Sequence, residues 1–271
     1  MRGSEFVSAF ARRGLPVWEA AVARMAAAGE LSPWPMVAVP VASPDGKHAG
    51  EFFATSDYLA IGEPGDRLRM PLTPRSAEAI ADLFGMQLPT RKMVDAIWQA
   101  AKVKLAPIEA PMLGRGEVNR GANLAQYLAH SRAIDAQLAA LGPLAVGELV
   151  AGLKKDVVVA PEIPKGKVLI YGWHRPDGSR VQPYSWVHDA DGYIDYSHGI
   201  RLVAPGMQLD GQNVFVADVL KDPELSRLLS DQGPVPSPRY YGRSAPKPGS
   251  LAATLASGAA FLFAPRPVLG T

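Results

Sequence analysis

The chain has no cysteine. That absence excludes disulfides, thiolate nucleophiles and cysteine-ligated zinc together. An excess of one charge is missing too: 28 basic residues stand against 26 acidic ones, and the formal net charge is +2. Neither sign is gathered in a block, and no basic stripe alternates with aromatics, so a nucleic-acid partner is not expected. No apolar run reaches the ~18–20 residues a membrane-spanning helix needs. The nearest, Leu251 to Ala264, is short and Ala-rich. Neither G-x-G-x-x-G nor G-x-x-x-x-G-K-[ST] occurs, which argues against a dehydrogenase and a P-loop enzyme. Histidine is scarce, with five in 271 residues, so its placement carries information.

What is present is 48% hydrophobic residues and 20% charged ones, the composition of a globular protein able to bury a core. The opening MRGSEF reads as an expression-vector remnant and is set aside from fold reasoning. A native leader cut away at that point implies a signal peptide, so a secreted or periplasmic protein is expected. Residues 7–232 read as one α+β domain, and 233–271 as a Pro/Gly/Ala-rich arm that wraps the body or is partly mobile. Pro16 and Gly29 bracket a first helix. WPMVAVPVA and EFFAT read as strands, and DYLAIG with RLRMPL as a hairpin closed by EPGD. Thr73 and Thr90 are N-caps of two helices. A loop is expected over Pro107 to Gly121, followed by the longest helix, Asn123 to Leu141. Strands dominate afterwards: DVVVA, KVLIYGW, VQPYSWVH, YIDYSHGIRLV and NVFVADVL, with a short helix capped by Asp222-Pro223. Helices and strands are segregated, which predicts an α+β fold. Its mixed or antiparallel sheet comes largely from the C-terminal half and packs on helices from the N-terminal half.

Chemistry-bearing side chains concentrate between Tyr171 and Arg201, which hold three of the five histidines, four aspartates, four tyrosines and two tryptophans. DADG, at 189–192, predicts a hairpin between Val181–His188 and Tyr193–Val203. Two registers are open. Pairing His188 with Tyr193 gathers Tyr184, Trp186, His188, Asp195, Ser197 and Arg201 on one face. Closing on Asp189 instead groups His188 and His198 with Trp186, Tyr184 and Tyr196, because a one-residue slip exchanges the faces.

The catalytic candidates are therefore His188, Asp195, His174, His198, Tyr196 and Ser197. Imidazoles oriented by carboxylates are the usual proton-transfer groups near neutral pH. Ser197 lacks the glycine-flanked elbow of a serine nucleophile. Asp189 and Asp195 form a candidate carboxyl pair for glycoside hydrolysis. Trp186, Tyr184 and Trp173 offer aromatic faces for substrate, and Arg201 and Lys155 offer positive charge. Lys154-Lys155-Asp156 places a lysine beside the histidine strands. His130 reads as structural.

The function expected is an exported hydrolase acting on cell-wall or polysaccharide material by His/Asp acid–base chemistry, with no cofactor. One alternative is a metallohydrolase with zinc on His174, His188 and His198. Another is a non-catalytic binder of carbohydrate or envelope material.

Overall fold

The computed structural model describes residues 1–31, 35–109, 123–145, 147–185 and 190–241, with 184 and 185 as backbone only. The chain is an α+β protein. Its helices are α1 (Gly3–Phe10), α2 (Leu15–Ala27), α3 (Pro74–Leu83), α4 (Arg91–Ala100), α5 (Leu124–Ala140) and α6 (Val216–Lys221). A 3-10 turn, Leu225–Leu228, follows α6.

Local chemistry starts three of these helices where the sequence predicts. Thr73 accepts a hydrogen bond from the Ser76 amide, Thr90 from Met93 and Asn123 from Gln126. Each satisfies an amide that the first helical turn leaves without a partner. Pro74 occupies the first turn of α3, where a missing N–H costs nothing. Asp222 caps the 3-10 turn by accepting from the Glu224 and Leu225 amides.

The strands form two four-stranded sheets. The first has the order β1 (Met36–Ala42), β2 (Ala49–Thr55), β11 (Val203–Leu209), β12 (Gln212–Phe215), all antiparallel. The second has the order β10 (His198–Gly199), β7 (Lys155–Val157), β8 (Ile170–His174), β9 (Arg180–Ser185), with β10 parallel to β7. Two short pairs complete the set: the hairpin β3 (Ala60–Ile61)–β4 (Leu68–Arg69), as expected around EPGD, and the parallel pair β5 (Val103–Lys104)–β6 (Val150–Ala151). The link between α3 and α4 ties the sheets together, since Gln87 bridges to Val203 and Thr90 to Val159.

Among the described residues, β9 makes no ladder with the segment 193–203; the two registers predicted for the DADG hairpin close through His188 and Asp189, which lie outside the described residues. The ladder partner of β9 is β8, reached by the tighter turn Arg175–Ser179, where Asp177 accepts from both the amide and the hydroxyl of Ser179. Ala190 makes an isolated bridge to Lys167, residues 191–197 form no strand, and His198–Gly199 joins the far edge of the sheet beside β7. β9 and β10 therefore lie on opposite edges. The competing Pro-Asp-Gly turn at 176–178 captured the strand that was assigned to DADG. NVFVADVL also divides, its second half forming α6.

The opening residues belong to the body. α1 begins at Gly3, Phe6 is fully buried, and a side chain at Gly3 would come within 2.5 Å of the Asp66 carbonyl oxygen. The arm wraps the body as far as Tyr241. Val235 is fully buried, Arg239 pairs with Asp82, and the Tyr240 hydroxyl donates to the Val158 carbonyl while accepting from the Leu169 amide. The larger core joins α1, α2, α3 and α5 to β7 and β8. A second core packs α4 and α6 against the first sheet.

Candidate functional site

Period-two alternation through Lys154-Lys155-Asp156 turns Lys154 and Asp156 inward and leaves Lys155 half-buried. The two inward groups meet a cavity with room for about one water molecule, bounded also by Tyr58, Trp98, His174 and Arg201. Tyr58 donates its hydroxyl to Asp156 Oδ2 at 2.8 Å. Asp156 Oδ1 is buried with no hydrogen-bond partner among the described residues, and Arg201 Nε stands 3.8 Å from it. Arg201 is held away by its own bonds, at 2.6 Å to the Thr55 carbonyl and 2.7 Å to that of Val150, with its guanidinium 4.3 Å from the Tyr58 ring centroid. Burial is the largest influence on Asp156 and pushes its pKa up to about 6, against the pull of Arg201 and Tyr58.

His174, at the end of β8, completes the cavity. Its Nε2 lies 2.8 Å from Asp95 Oδ1 on α4, and its ring stacks on Trp98 at 5.4 Å. Asp95 also accepts from the Tyr171 hydroxyl at 2.9 Å and from Arg180 Nη2 at 2.8 Å. Burial opposes ionisation of Asp95, yet these donors hold its carboxyl below the usual range. The result is an imidazole oriented by an ionised carboxylate, with Trp98 as a wall. A left-handed pair sets this end of β8: Gly172 has φ +92° and Trp173 has φ +52°. This backbone lets Tyr171 and His174, three residues apart, reach the same carboxylate.

Behind the cavity lies a second cluster. Lys154 Nζ donates to the Tyr196 carbonyl at 2.6 Å and stands 3.4 Å from His130 Nδ1. Burial, with Arg69 adding repulsion, lowers the Lys154 pKa to about 7. Burial and the same two cations hold His130 well below the ordinary histidine value, so its imidazole is neutral. Tyr196 and Trp173 pack edge-on against it, with ring centroids 5.0 and 6.2 Å away.

The sequence candidates therefore divide among several places. Asp195, Ser197 and His198 share one turn: Asp195 accepts from the Ser197 amide at 2.7 Å and from the Ser197 hydroxyl, with His198 Nε2 at 3.9 Å. Burial opposes the charge on Asp195, but His198, Lys155 and Ser197 bring its pKa down to about 2. The Ser197 hydroxyl is committed to a carboxylate, the geometry of a turn residue, and among the described residues no histidine hydrogen-bonds to it. Tyr196 and Trp173 are buried in the His130 cluster and do not line an open cleft. Lys155 sits over Trp173 at 5.4 Å, and Arg201 belongs to the Asp156 cavity. His188, Asp189 and Trp186 lie outside the described residues, as does the Tyr184 side chain. Of the three histidines grouped for zinc, the two described ones engage different carboxylates on strands separated by β7.

Sequence reasoning passed over Tyr58, Asp95, Trp98 and Asp156. The legible signal was the alternation of the Lys-Lys-Asp run into an apolar strand, which places Asp156 inward beside Lys154. Tyr58 and Asp95 come from far along the chain and carry no local signal. Comparison with known proteins finds no matching family model, no matching curated protein and no matching solved structure.

Proposed function

We propose that this protein is a hydrolase that uses side-chain acid–base chemistry at the Asp156–His174 cavity. The observation that carries this reading is Asp156 itself: a buried carboxyl, poised at about pH 6, with one oxygen that has no hydrogen-bond partner among the described residues, beside a water-sized cavity. Hydrolysis needs a base to take a proton from water and an acid to supply one to the leaving group. A carboxylate whose pKa lies just below neutral is ionised at pH 7 and still basic enough to accept that proton. His174, oriented by Asp95, is the matching donor. Tyr58 holds Asp156 in place, and Arg201 supplies positive charge without closing a tight ion pair.

The substrate class in this reading is a cell-wall or polysaccharide polymer outside the cytoplasm. Trp98 is the aromatic side chain in support of it: the ring is half-buried, stacked on His174 and covered by the exposed end of Lys104, with Nζ 4.5 Å from its centroid, and a sugar ring would stack there by displacing that lysine. Assays of the wild type on peptidoglycan, polysaccharide and ester panels test the proposal. Turnover of one class is expected, with Asp156→Asn and His174→Ala each lowering kcat by about 10²–10⁴ while remaining folded. Inactivity of the wild type across all panels, or an Asp156→Asn enzyme as fast as wild type, would overturn it.

A further inference from the structure

A larger cavity, of about 540 Å³, lies against the same stretch of backbone. Consecutive residues serve the two spaces: Asp57 and Val150 line the large cavity, Tyr58 and Ala151 the small one. The volume falls within the range of small-molecule sites. One wall is apolar, built from Leu138, Leu144 and Val150, and Leu144 is exposed. A folded chain leaves such surface uncovered at some cost.

The polar wall fixes the sign of the ligand. Asp57 and Asp135 are neutralised from within, because Arg69, fully buried, bonds both at 2.7 and 2.8 Å, and Arg67 pairs with Asp57 at 3.0 Å. Two carboxylates are thus matched by two guanidinium groups. Glu63 and Glu148 remain. Among the described residues Glu63 is exposed and makes no ion pair, and Glu148 has only Lys102 at 3.5 Å, a lysine whose side chain is 83% exposed. Such exposed partners neutralise weakly. Among the described residues the cavity therefore has a surplus of negative charge at its rim and hydrocarbon on its wall. An anion is repelled there, and a neutral apolar molecule leaves the carboxylates unmatched.

We propose that this cavity binds a small organic ammonium ion of the alkylamine class. The alkyl body lies on Leu138, Leu144 and Val150, and the ammonium group is drawn by Glu63 and Glu148. This site is separate from the Asp156 cavity and does not depend on the hydrolase reading.

The test is calorimetric titration of the full chain at pH 7 and low salt with hexylamine, hexan-1-ol and hexanoate, three probes of one length. Hexylamine is expected to bind, hexan-1-ol about tenfold more weakly, and hexanoate more weakly still. A Glu63→Gln/Glu148→Gln variant is expected to lose about tenfold in hexylamine affinity while its thermal unfolding is unchanged. No hexylamine binding, equal binding of hexanoate, or equal hexylamine affinity in a folded double variant would overturn the assignment. Should the variant not fold, the ranking of the three probes on the wild type decides by itself.

Discussion

Lys154 and Asp156, two residues apart and both buried, titrate in opposite directions from their ordinary values, and each leaves its own mark on stability. Asp156 has a folded pKa of about 6 against 3.8 for an unperturbed carboxyl, so the folded chain holds that proton more tightly. Its contribution is complete below about pH 4 and is lost as pH rises through about 6. Lys154 has a folded pKa of about 7 against 10.5, so there the unfolded chain holds the proton more tightly. Stability from this group rises between about pH 7 and 10. Urea unfolding across pH is therefore expected to show a fall and then a rise. Asp156→Asn should flatten the fall and Lys154→Met the rise, and an unaltered slope in either variant would contradict the assignment. Asp195, with its pKa near 2, adds stability that is lost as pH falls from about 4 towards 2. This scale was only partly legible in the sequence. The Asp195–Ser197 turn spans two residues and could be anticipated, whereas Tyr58 meets Asp156 across 98 residues and Asp95 meets His174 across 79. Pairings of that reach leave no local pattern.

Backbone conformation at two glycines decides whether the site's elements close on one another. A side chain at Gly172 would approach Val94 at 3.1 Å and the His174 ring at 3.3 Å, on a backbone with φ +92°. Gly172→Ala is expected to cost about 1–2 kcal/mol from the left-handed backbone alone, and to shift the His174 ring off Asp95, visible as a displaced imidazole resonance by NMR at fixed pH. At Gly199 an added Cβ would lie 2.5 Å from the Tyr58 ring and 2.9 Å from Lys154 Cβ. Gly199→Ala should therefore destabilise by about 1–3 kcal/mol as an overpacked core does, and chemical denaturation measures it. An effect below the error of that measurement would mean the Tyr58–Gly199 contact is looser than described. Helix starts at Thr73, Thr90 and Asn123 were legible because a cap is a four-residue signal. The partner of β9 was not, because two Asp-Gly turns, at 177–178 and 191–192, compete for it and the chain alone does not rank them.

Across the whole molecule, the segregation of helices and strands foretold the α+β class. The division into two sheets was hidden, since it depends on pairings such as β2 with β11, which lie far apart along the chain. The role of the first residues was hidden too. Phe6 packs at 4.6 Å from Phe10 and is fully buried in the main core. Phe6→Ala is expected to lower stability by about 3–5 kcal/mol, measured by urea unfolding, and a neutral result would detach α1 from the body. What the fold accomplishes as a whole is to bring Tyr58, Asp156, His174 and Arg201 around one buried space, with Asp95 holding His174. The most direct test is a carbon-13 NMR titration of the Asp156 carboxyl in the intact protein, assigned by loss of its signal in Asp156→Asn. A midpoint near pH 6 is predicted, moving upward in Tyr58→Phe as the hydroxyl donor is removed. A midpoint near 4, unmoved by Tyr58→Phe, would contradict the account of this cavity as a proton-transfer site.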